Sequence, residues 1–291
     1  MIVVENLQKT YKDGTKALKG ISFRVDEGIT AILGRNGAGK TTLTRILSTQ
    51  LLPTSGKAHI DGIDVVKDAD KIRERIVSIP QEGKPIGLLT PMEHIIVYLG
   101  ARGIMENEAK KLARKALNEL DIIDEADKVA DDLSGGTKRK IFVAMALAAG
   151  TDIIFLDEPT TGLDPLSRIE VWHAIKKIKG TILLTTHYVE EAKELADRVI
   201  LVDSGKVLAK GKIDALLKPY GNLVRVEGIR TGRKTFKLGN LDISYVNKKD
   251  AERYIGKDGL VIRNFDLEDI FMIRGTGGVE KEEDKGNDYG D

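Results

Sequence analysis

One stretch, GITAILGRNGAGKTTLTRIL, restricts the possible folds of this chain more than any other. Ile29 to Leu33 predicts a buried strand, Gly34 to Thr41 matches the pattern GxxxxGK[ST], and apolar residues then recur at helical spacing. In a strand, loop and helix of this kind, backbone N–H groups surround phosphate, Lys40 adds a positive charge near the outer phosphates, and the Thr41 hydroxyl can ligate Mg²⁺. The stretch therefore predicts an α/β fold with a phosphate-binding loop.

Two further apolar segments end in groups that can act on a bound phosphate. DIIFLDEPTTGLD carries Asp157 and Glu158, and burying adjacent carboxylates is costly unless they meet a cation or a reacting group. Asp157 can hold Mg²⁺ through its water shell, and Glu158 can orient or deprotonate a water that attacks the γ-phosphate. TILLTTH delivers His187, which can hydrogen-bond the same phosphate. A surface turn with two acids and a structural histidine are the alternatives, and the phosphate loop favours the functional interpretation.

The segment LSGGTKRK, Leu133 to Lys140, puts two glycines at the start of a predicted helix. Glycines there let a ligand approach backbone N–H groups that have no partner within the helix, and phosphate is the usual ligand of such groups. For an isolated SGG, a turn capped by Ser134 is the better interpretation. Only the other motifs of the chain can distinguish a phosphate-binding helix start from a capped turn.

Composition excludes several classes of protein. The 291 residues, 41% of them hydrophobic, suffice for one large domain and one small one. Lys and Arg number 46 and Asp and Glu 45, so the formal charge of +1 gives no global basic field of the kind that nucleic-acid binding favours. Cysteine is absent, which excludes disulfides and thiolate metal sites. Glu5 interrupts the N-terminal segment too early for a signal peptide, and no apolar run approaches the roughly 18 residues of a membrane span, so we expect a chain that does not cross a bilayer alone.

Taken in order, these motifs resemble those of the nucleotide-binding subunit of ATP-binding cassette (ABC) transporters over about residues 1–220. The resemblance implies that ATP lies on the phosphate loop with Mg²⁺ and that Tyr11 stacks on adenine, a solvent-edge aromatic being the alternative. Gln81 in SIPQE matches the glutamine that reaches Mg²⁺ and the attacking water, and it lies near the transmembrane partner. Asp164 in TTGLD matches the loop that crosses between subunits, and His187 matches the switch histidine. The implied loop residues are Gly34, Arg35, Asn36, Gly37, Ala38, Gly39, Lys40, Thr41 and Thr42.

By the same resemblance, LSGGTKRK is the family signature, and its helix points at ATP held by the phosphate loop of a second subunit. Ser134 and Gly136 then serve the ATP of that second nucleotide-binding subunit, in an ATP-dependent homodimer or heterodimer with two composite sites, and Asp164 is implied as a nucleotide-binding residue of the crossing loop. The signature has Thr137 where glutamine is commonest, and the crossing loop has Gly162 where many members have alanine. Neither change removes a catalytic group.

The order of predicted elements gives the organisation of the chain. Strands that alternate with helices predict an α/β, P-loop NTPase core with a parallel sheet, joined by an N-terminal antiparallel β portion. The pattern turns helical over about residues 82–150, where TPME, Thr90 to Glu93, is a capping box with proline at the first helical position. We expect an inserted helical subdomain there, within a nucleotide-binding domain of residues 1–220. The apolar IIVYLG is either plain core or, as in the family, part of a groove for a short helix of the membrane partner.

After residue 220 the pattern changes. LVRVEGI, KTFKLG and LVIRNF predict short strands, and DAERYI and LEDIFMIRG predict short helices, so we expect a small C-terminal α+β appendage over residues 221–275. Residues 276–291 are too polar and glycine-rich to fold alone, and we expect disorder there. FDLEDIFMIRGTG resembles the C-terminal signature of ABC-2 type subunits that serve drug, lipid or polysaccharide exporters, which favours export.

The resulting hypothesis is an ATPase subunit that couples Mg-ATP-driven dimerisation to substrate movement by separate transmembrane permease subunits. The resemblance implies that these dock near Gln81 and the helical subdomain and hold the chain at the cytoplasmic face of the cell membrane. The alternative is a soluble ABC-type ATPase acting on ribosomes or DNA, but such members usually carry two cassettes or a long coiled coil. A P-loop kinase or GTPase leaves the signature unexplained. We expect no nucleic-acid partner.

Overall fold

The structure, a computed structural model, describes residues 1–231 and 235–275. The chain divides into two compact units, Met1–Gly211 and Lys212–Asp291. The sequence placed the boundary nine residues later, near residue 220, because the short helical segment that opens the second unit carries no composition signal of its own. The tail at 276–291, for which the sequence predicts disorder, lies outside the described residues.

The first unit alternates strands with helices. Its strands are β1 (Ile2–Thr10), β2 (Lys16–Val25), β3 (Gly28–Leu33), β4 (Ser55–Ile60), β5 (Ile63–Asp64), β6 (Ile76–Ile79), β7 (Ile153–Asp157), β8 (Thr181–Thr186), β9 (Arg198–Asp203) and β10 (Lys206–Gly211). Its helices are α1 (Lys40–Leu47), α2 (Ala69–Arg75), α3 (Pro91–Ala101), α4 (Glu106–Glu119), α5 (Gly135–Ala149), α6 (Pro165–Lys176) and α7 (Val189–Leu195), with short 3-10 helices at Ile123–Glu125 and Ala130–Asp132.

A six-stranded sheet with the order β10-β9-β3-β8-β7-β6 forms the centre of this unit. β3 is parallel to β8 and β9, and β7 is parallel to β8 and β6, whereas β10 joins the edge antiparallel to β9. A parallel sheet is covered on both faces, which explains why every residue of β7 is buried and its sequence runs apolar without alternation. Since β3, β8 and β7 are neighbours, the residues that follow their carboxyl ends lie side by side.

A second sheet, β2-β1-β4-β5, is antiparallel throughout and confirms the expected N-terminal β portion. Its inner face shares one apolar core with the central sheet and α1, in which Leu7, Ile21, Ile32, Leu43 and Phe155 are all fully buried. Burial of one such side chain is worth about 1.5 to 3 kcal/mol. The core therefore fixes the start of α1 against two sheets.

The helices α3, α4 and α5 pack on one another in the segment for which the sequence predicts a helical subdomain. The predicted capping box is present, because the Thr90 hydroxyl accepts from the Glu93 N–H at 3.2 Å and the Glu93 carboxylate accepts from the Thr90 N–H at 2.8 Å. Among the described residues, no helix combines the length and the apolar character that crossing a membrane requires.

The second unit is a four-stranded antiparallel sheet in the order β12-β13-β11-β14, with short helices. Its strands are β11 (Leu223–Glu227), β12 (Thr235–Leu238), β13 (Leu241–Asn247) and β14 (Val261–Asn264), and its helices are α8 (Ile213–Leu217), α9 (Lys248–Ala251) and α10 (Leu267–Arg274), with 3-10 helices at Lys218–Tyr220 and Glu252–Tyr254. This is the expected α+β appendage, but the sequence did not predict β13, although that strand pairs with both β11 and β12.

The FDLEDIF segment contains a buried carboxylate that attaches α10 to this sheet. Asp269 is 1% exposed, accepts from the Tyr245 hydroxyl at 2.7 Å and pairs with Arg225 at 3.2 Å. Burial and the neighbouring Asp269 charge raise the pKa of Tyr245. Asp269 therefore has a structural role within the second unit.

Candidate active site

The loop between β3 and α1 has the conformation that a phosphate cradle needs. Gly39 has φ +102°, and a Cβ there would lie 2.5 Å from the Ala17 carbonyl oxygen, so only glycine fits. α1 begins at the next residue, and its first N–H groups have no partner within the helix. Lys40 Nζ donates to the carbonyl oxygens of Gly34 at 2.8 Å and Arg35 at 3.2 Å, which holds the ammonium inside the loop.

An open cavity of about 460 Å³ adjoins this loop. Its lining comes from the loop, from the turn between β1 and β2, and from the carboxyl end of β7, with Gln81 between them. The lining residues are Thr15, Lys16, Ala17, Asn36, Gly37, Gly39, Lys40, Thr41, Thr42, Gln81 and Glu158. Residues from four separate segments of the chain thus face one space.

Glu158 is the centre of the polar contacts at this cavity. Its Oε1 lies 3.1 Å from Lys40 Nζ, and the two side chains are 5% and 4% exposed. Its Oε2 accepts from Thr161 Oγ1 at 3.0 Å, from His187 Nδ1 at 3.0 Å and from Gln81 Nε2 at 3.3 Å. Glu158 also has φ +49°, an uncommon conformation for a residue with a side chain. Strained backbone that is held by many contacts is typical of functional sites.

The pKa of Glu158 reflects two opposing effects. Burial raises it, but the Lys40 ammonium, the Thr161 hydroxyl and His187 together lower it further, and the net pKa lies below the ordinary value for glutamate. The group is therefore ionised near neutral pH and able to accept a proton. Because Lys40 supplies the largest lowering contribution, any anion that takes over Lys40 makes Glu158 more basic.

Asp157, one residue earlier, is 4% exposed and accepts two hydroxyl hydrogen bonds. Thr41 Oγ1 donates to its Oδ1 at 3.3 Å, and Thr185 Oγ1 donates to the same oxygen. The first helical turn of α1 and the end of β7 therefore place a hydroxyl and a carboxylate together. Oxygen donors of these two kinds are what Mg²⁺ prefers.

Tyr11 reaches the phosphate loop from the other side, through its hydroxyl, which lies 3.0 Å from Thr42 Oγ1. The residue is 37% exposed, and Lys9 Nζ lies 5.5 Å from the ring centroid. An exposed aromatic face next to a phosphate loop is available to a stacking ligand. Adenine stacking by Tyr11 stays a prediction.

The signature segment lies outside this cavity. Ser134 caps α5 by accepting from the Thr137 N–H at 3.0 Å, and Ser134 and Gly135 are exposed to solvent. Gly136 is buried, and a Cβ there would lie 3.0 Å from Cβ and Oγ of Ser167 in α6. At the start of α5, Gly135 is therefore exposed to solvent, whereas Gly136 packs against Ser167 of the same chain.

Asp164 also stays outside the cavity, because it caps α6. Its Oδ1 accepts from the backbone N–H groups of Leu166 and Ser167, at 3.1 Å each. The structure thus brings together the phosphate loop, Gln81, the two carboxylates and His187, whereas Ser134, Gly136 and Asp164 lie outside this cavity in the same unit.

Sequence reasoning missed the threonines that hold the carboxylates. Thr185 donates to Asp157 and also accepts from the Glu158 N–H at 3.1 Å, while Thr161 donates to Glu158. The TT pairs in PTTG and LLTTH were the available signal, because a hydroxyl at the buried end of an apolar strand needs a partner. Lys16 and its neighbours in the β1–β2 turn carry no comparable pattern.

A parallel sheet with a phosphate loop, an acidic strand end and a histidine strand end defines a P-loop nucleoside triphosphatase. The family model for ABC transporters matches residues 18–161. The daunorubicin resistance ATP-binding protein DrrA3 of Streptomyces coeruleorubidus is 40% identical over 76% of this chain and 71% of its own length. The daunorubicin/doxorubicin resistance ATP-binding protein DrrA of Streptomyces peucetius is 37% identical over 86% and 78%.

Solved structures agree with the sequence relatives. The dimeric post-hydrolysis structure of the ATP-binding cassette MJ0796, bound to ADP and Pi, has a TM-score of 0.65 and is 29% identical over 73% of this chain and 98% of that one. The chain belongs to the ABC transporter family. It is the ATP-binding, ATP-hydrolysing subunit of such a transporter, and the alternative of an ATPase acting on ribosomes or DNA is not supported.

Proposed function

We propose that Glu158 is the general base of ATP hydrolysis, with Gln81 and His187 placed around the attacking water and the γ-phosphate. The observation that carries this assignment is the convergence of Lys40, Gln81, Thr161 and His187 on the Glu158 carboxylate. The Glu158 carboxylate pairs with Lys40 in this structure, and in the proposed reaction it accepts a proton from the water that attacks the γ-phosphate. When ATP pairs with Lys40, Glu158 is released from the ammonium and becomes a stronger base.

The oxygen donors at the end of β7 fit Mg²⁺. Thr41 and Asp157 already lie within hydrogen-bond distance, and Gln81 stands at the same cavity with an amide oxygen of the kind that this ion accepts. We assign Thr41, Gln81 and Asp157 to hold the ion, directly or through water. Bound there, the ion would neutralise charge on the β- and γ-phosphates. Loss of hydrolysis in EDTA, restored by Mg²⁺ in excess, tests this assignment.

The active site is incomplete in one chain, because the signature backbone lies outside the phosphate cavity. A second copy or a homologous subunit can supply it, with Ser134 and the exposed start of α5 facing the ATP of the first. The dimeric MJ0796 structure is a family precedent for pairing of two cassettes. The N–H groups and dipole of a helix start would then stabilise the γ-phosphate from the opposite side.

ATP hydrolysis by the isolated subunit should therefore rise faster than linearly with protein concentration. Below the dissociation constant of the dimer, the fraction of assembled sites grows with concentration, so specific activity grows with it. Steady-state phosphate release, measured over a hundredfold range of concentration with parallel light scattering, checks this expectation. Constant specific activity in a sample shown to be monomeric would contradict a composite site.

A loop that follows Gln81 is suited to docking of the permease. Ile86 and Leu88 are 61% and 82% exposed, which is unusual for large apolar side chains so close together. The loop is nevertheless fixed, since the Ile86 N–H donates to His94 Nε2 at 2.8 Å and the Leu89 carbonyl oxygen accepts from the Ala130 N–H at 2.9 Å.

An adjoining groove of about 380 Å³ connects this loop to the signature helix. Gly83, Pro85 and Phe142 contribute apolar surface to it. Arg139 also lines the groove and donates to the carbonyl oxygen of Gln81 at 2.7 Å. We infer that a short helix of a transmembrane subunit occupies this groove. That contact would hold the chain at the cytoplasmic face of the membrane and couple it to Gln81.

The names of the Streptomyces relatives suggest the cargo, and we propose export of drugs such as daunorubicin. In the source cells, deletion of this chain should raise accumulation of daunorubicin severalfold, measured by its fluorescence. Reintroduced wild-type protein should restore efflux, whereas Leu88→Asp should not, because a charge at the docking loop costs about 2 kcal/mol or more at an apolar contact.

Leu52→Asp is the matched control for that variant, since Leu52 is 65% exposed in the turn between α1 and β4, away from the docking loop. It should restore efflux like the wild type. If neither deletion nor complementation changes drug accumulation, the cargo is wrong. If Leu88→Asp restores efflux fully, the docking surface is wrong and the cargo assignment stands.

A further inference from the structure

A buried carboxylate, Glu191 of α7, lies behind the active site and has no part in the roles assigned so far. It is 1% exposed, and its Oε1 accepts from Thr160 Oγ1 at 2.6 Å and from Trp172 Nε1 at 3.0 Å. Thr160 is itself fully buried. Burying a carboxylate is costly unless hydrogen-bond donors surround it. A buried carboxylate therefore requires its donors to be held in place around it.

The two donors come from the segments that frame Glu158. Thr160 lies in the loop that runs from Glu158 to Asp164, next to Thr161, whose hydroxyl donates to Glu158. Trp172 lies on α6, the helix that Asp164 caps. Glu191 therefore joins the loop after β7, the helix that follows it, and the helix that follows His187.

A second set of contacts, between a guanidinium group and two tilted rings, also links α6 to the segment after β8. The Arg168 guanidinium lies 4.3 Å from the centroid of the Tyr188 ring, and that ring lies 4.0 Å from the ring of His187. Arg168 and Trp172 are four residues apart on α6 and so share one face of the helix. That face holds both the segment after β8 and the carboxylate of α7.

We propose that Glu191 is a positioning residue for ATP hydrolysis, which acts by fixing Thr160 and thereby the loop that orients Glu158. The inference rests on the proposed role of Glu158. The loop begins with a residue in a left-handed conformation, which relaxes unless the surrounding contacts hold it. Glu191 supplies the buried acceptor that holds it. Glu191 does not line the cavity at the phosphate loop, so we expect ATP binding not to depend on it.

The test compares Glu191→Met, which removes the acceptor and keeps the length of the side chain, with Thr160→Val and the double variant. Each single change should lower kcat about tenfold to a hundredfold, the scale set by a small misplacement of a catalytic group, while the KM for ATP stays within about threefold of wild type. Since both act through one hydrogen bond, the double variant should be no slower than the slower single variant. Glu190→Met, the same substitution at an exposed neighbour, should leave kcat within about twofold.

Trp172→Phe adds a graded control, because it removes one donor to Glu191 and keeps the bond to Thr160. Its kcat should fall less than that of Thr160→Val. Should Glu191→Met fail to fold, Thr160→Val carries the test, since it replaces one buried hydroxyl by a methyl group of similar size. ATP affinity by calorimetry and the melting temperature are measured for every variant.

Three results would overturn the proposal: a kcat within about twofold of wild type in Thr160→Val, multiplicative losses in the double variant, or parallel losses of ATP affinity and kcat with a lower melting temperature. The last would show a purely structural role. Glu158→Gln is assayed alongside. If that variant hydrolyses ATP normally, the proposed role of Glu158 fails, whereas an inactive Glu158→Gln with an active Thr160→Val rejects only the role of Glu191.

Discussion

Glu158→Gln should lower ATP turnover by about 10² to 10⁴ while ATP binding survives, because general-base catalysis is worth that factor and the amide cannot accept the proton. The replacement keeps the shape of the side chain, so contacts with Gln81 and Thr161 have room to persist. The phosphate loop itself is unchanged. Single-turnover hydrolysis and equilibrium binding of Mg-ATP measure the two effects separately.

The ion pair between Lys40 and Glu158 leads to a second expected effect of Glu158→Gln, on thermal stability. Lys40 is 4% exposed, and in the glutamine variant its ammonium loses the carboxylate at 3.1 Å. An ammonium buried without an anion destabilises the protein, and the triphosphate of ATP replaces that anion. Mg-ATP should therefore raise the melting temperature of Glu158→Gln by more than it raises that of the wild type.

Glu190→Gln provides the control for this experiment, since it makes the same chemical change on an exposed part of α7. It should resemble the wild type in turnover and in thermal shift. A Glu158→Gln protein that retained more than about a tenth of wild-type turnover would remove Glu158 from the role of general base. A variant that no longer bound ATP would show instead that the carboxylate organises the phosphate loop.

The parts of the site that are local in sequence could be predicted. Strand, glycine-rich loop and helix are contiguous at residues 28–47, and each element has its own pattern. Asp157 and His187 follow apolar strands, and parallel neighbours bring such strand ends together. The same reasoning could not show that Lys40 pairs with Glu158, because the motif predicts only that both face phosphate.

Contacts between distant polar residues were harder to predict. The TT pair of LLTTH indicates that the Thr185 hydroxyl needs a partner, but it does not identify that partner, because Asp157 is 28 residues away. Glu191 looks like one of several acids on a charged helix, and only the fold shows that it alone faces Thr160. β13 was missed because its sequence, LDISYVN, follows the turn residues Gly239 and Asn240 closely and offers only a short alternation of apolar and polar residues.

The burial of Gly136 in the signature makes Gly136→Glu an unsuitable test of the subunit interface. The sequence assigns Gly136 to the nucleotide of another subunit, so a glutamate at Gly136 would be the direct test. A side chain there would first meet Ser167 of the same chain at 3.0 Å and push on α6, which begins beside Asp164. A loss of function in Gly136→Glu would therefore not separate assembly from local distortion.

Gly135→Glu separates them, and it should abolish ATP-dependent dimerisation without weakening ATP binding by the monomer. Gly135 is exposed, and a Cβ there meets only Leu163 Cδ2 at 3.4 Å, an ordinary contact. The added carboxylate would stand at the start of α5, where the helix N-terminus otherwise attracts a γ-phosphate, and would repel it. Like charges brought together at an interface cost several kcal/mol, which corresponds to about 10²- to 10³-fold in the dimer dissociation constant.

The measurement uses the Glu158→Gln background, in which bound ATP is not consumed and the dimer accumulates. Light scattering with Mg-ATP should show a dimer for Glu158→Gln and for Glu158→Gln with Gly135→Ala, because a methyl group adds neither charge nor a clash. Glu158→Gln with Gly135→Glu should stay monomeric while its ATP affinity, measured below the dimerisation range, matches that of Glu158→Gln alone. A dimer in that last sample, or an alanine variant as defective as the glutamate variant, would mean that the start of α5 does not face a nucleotide across a subunit interface.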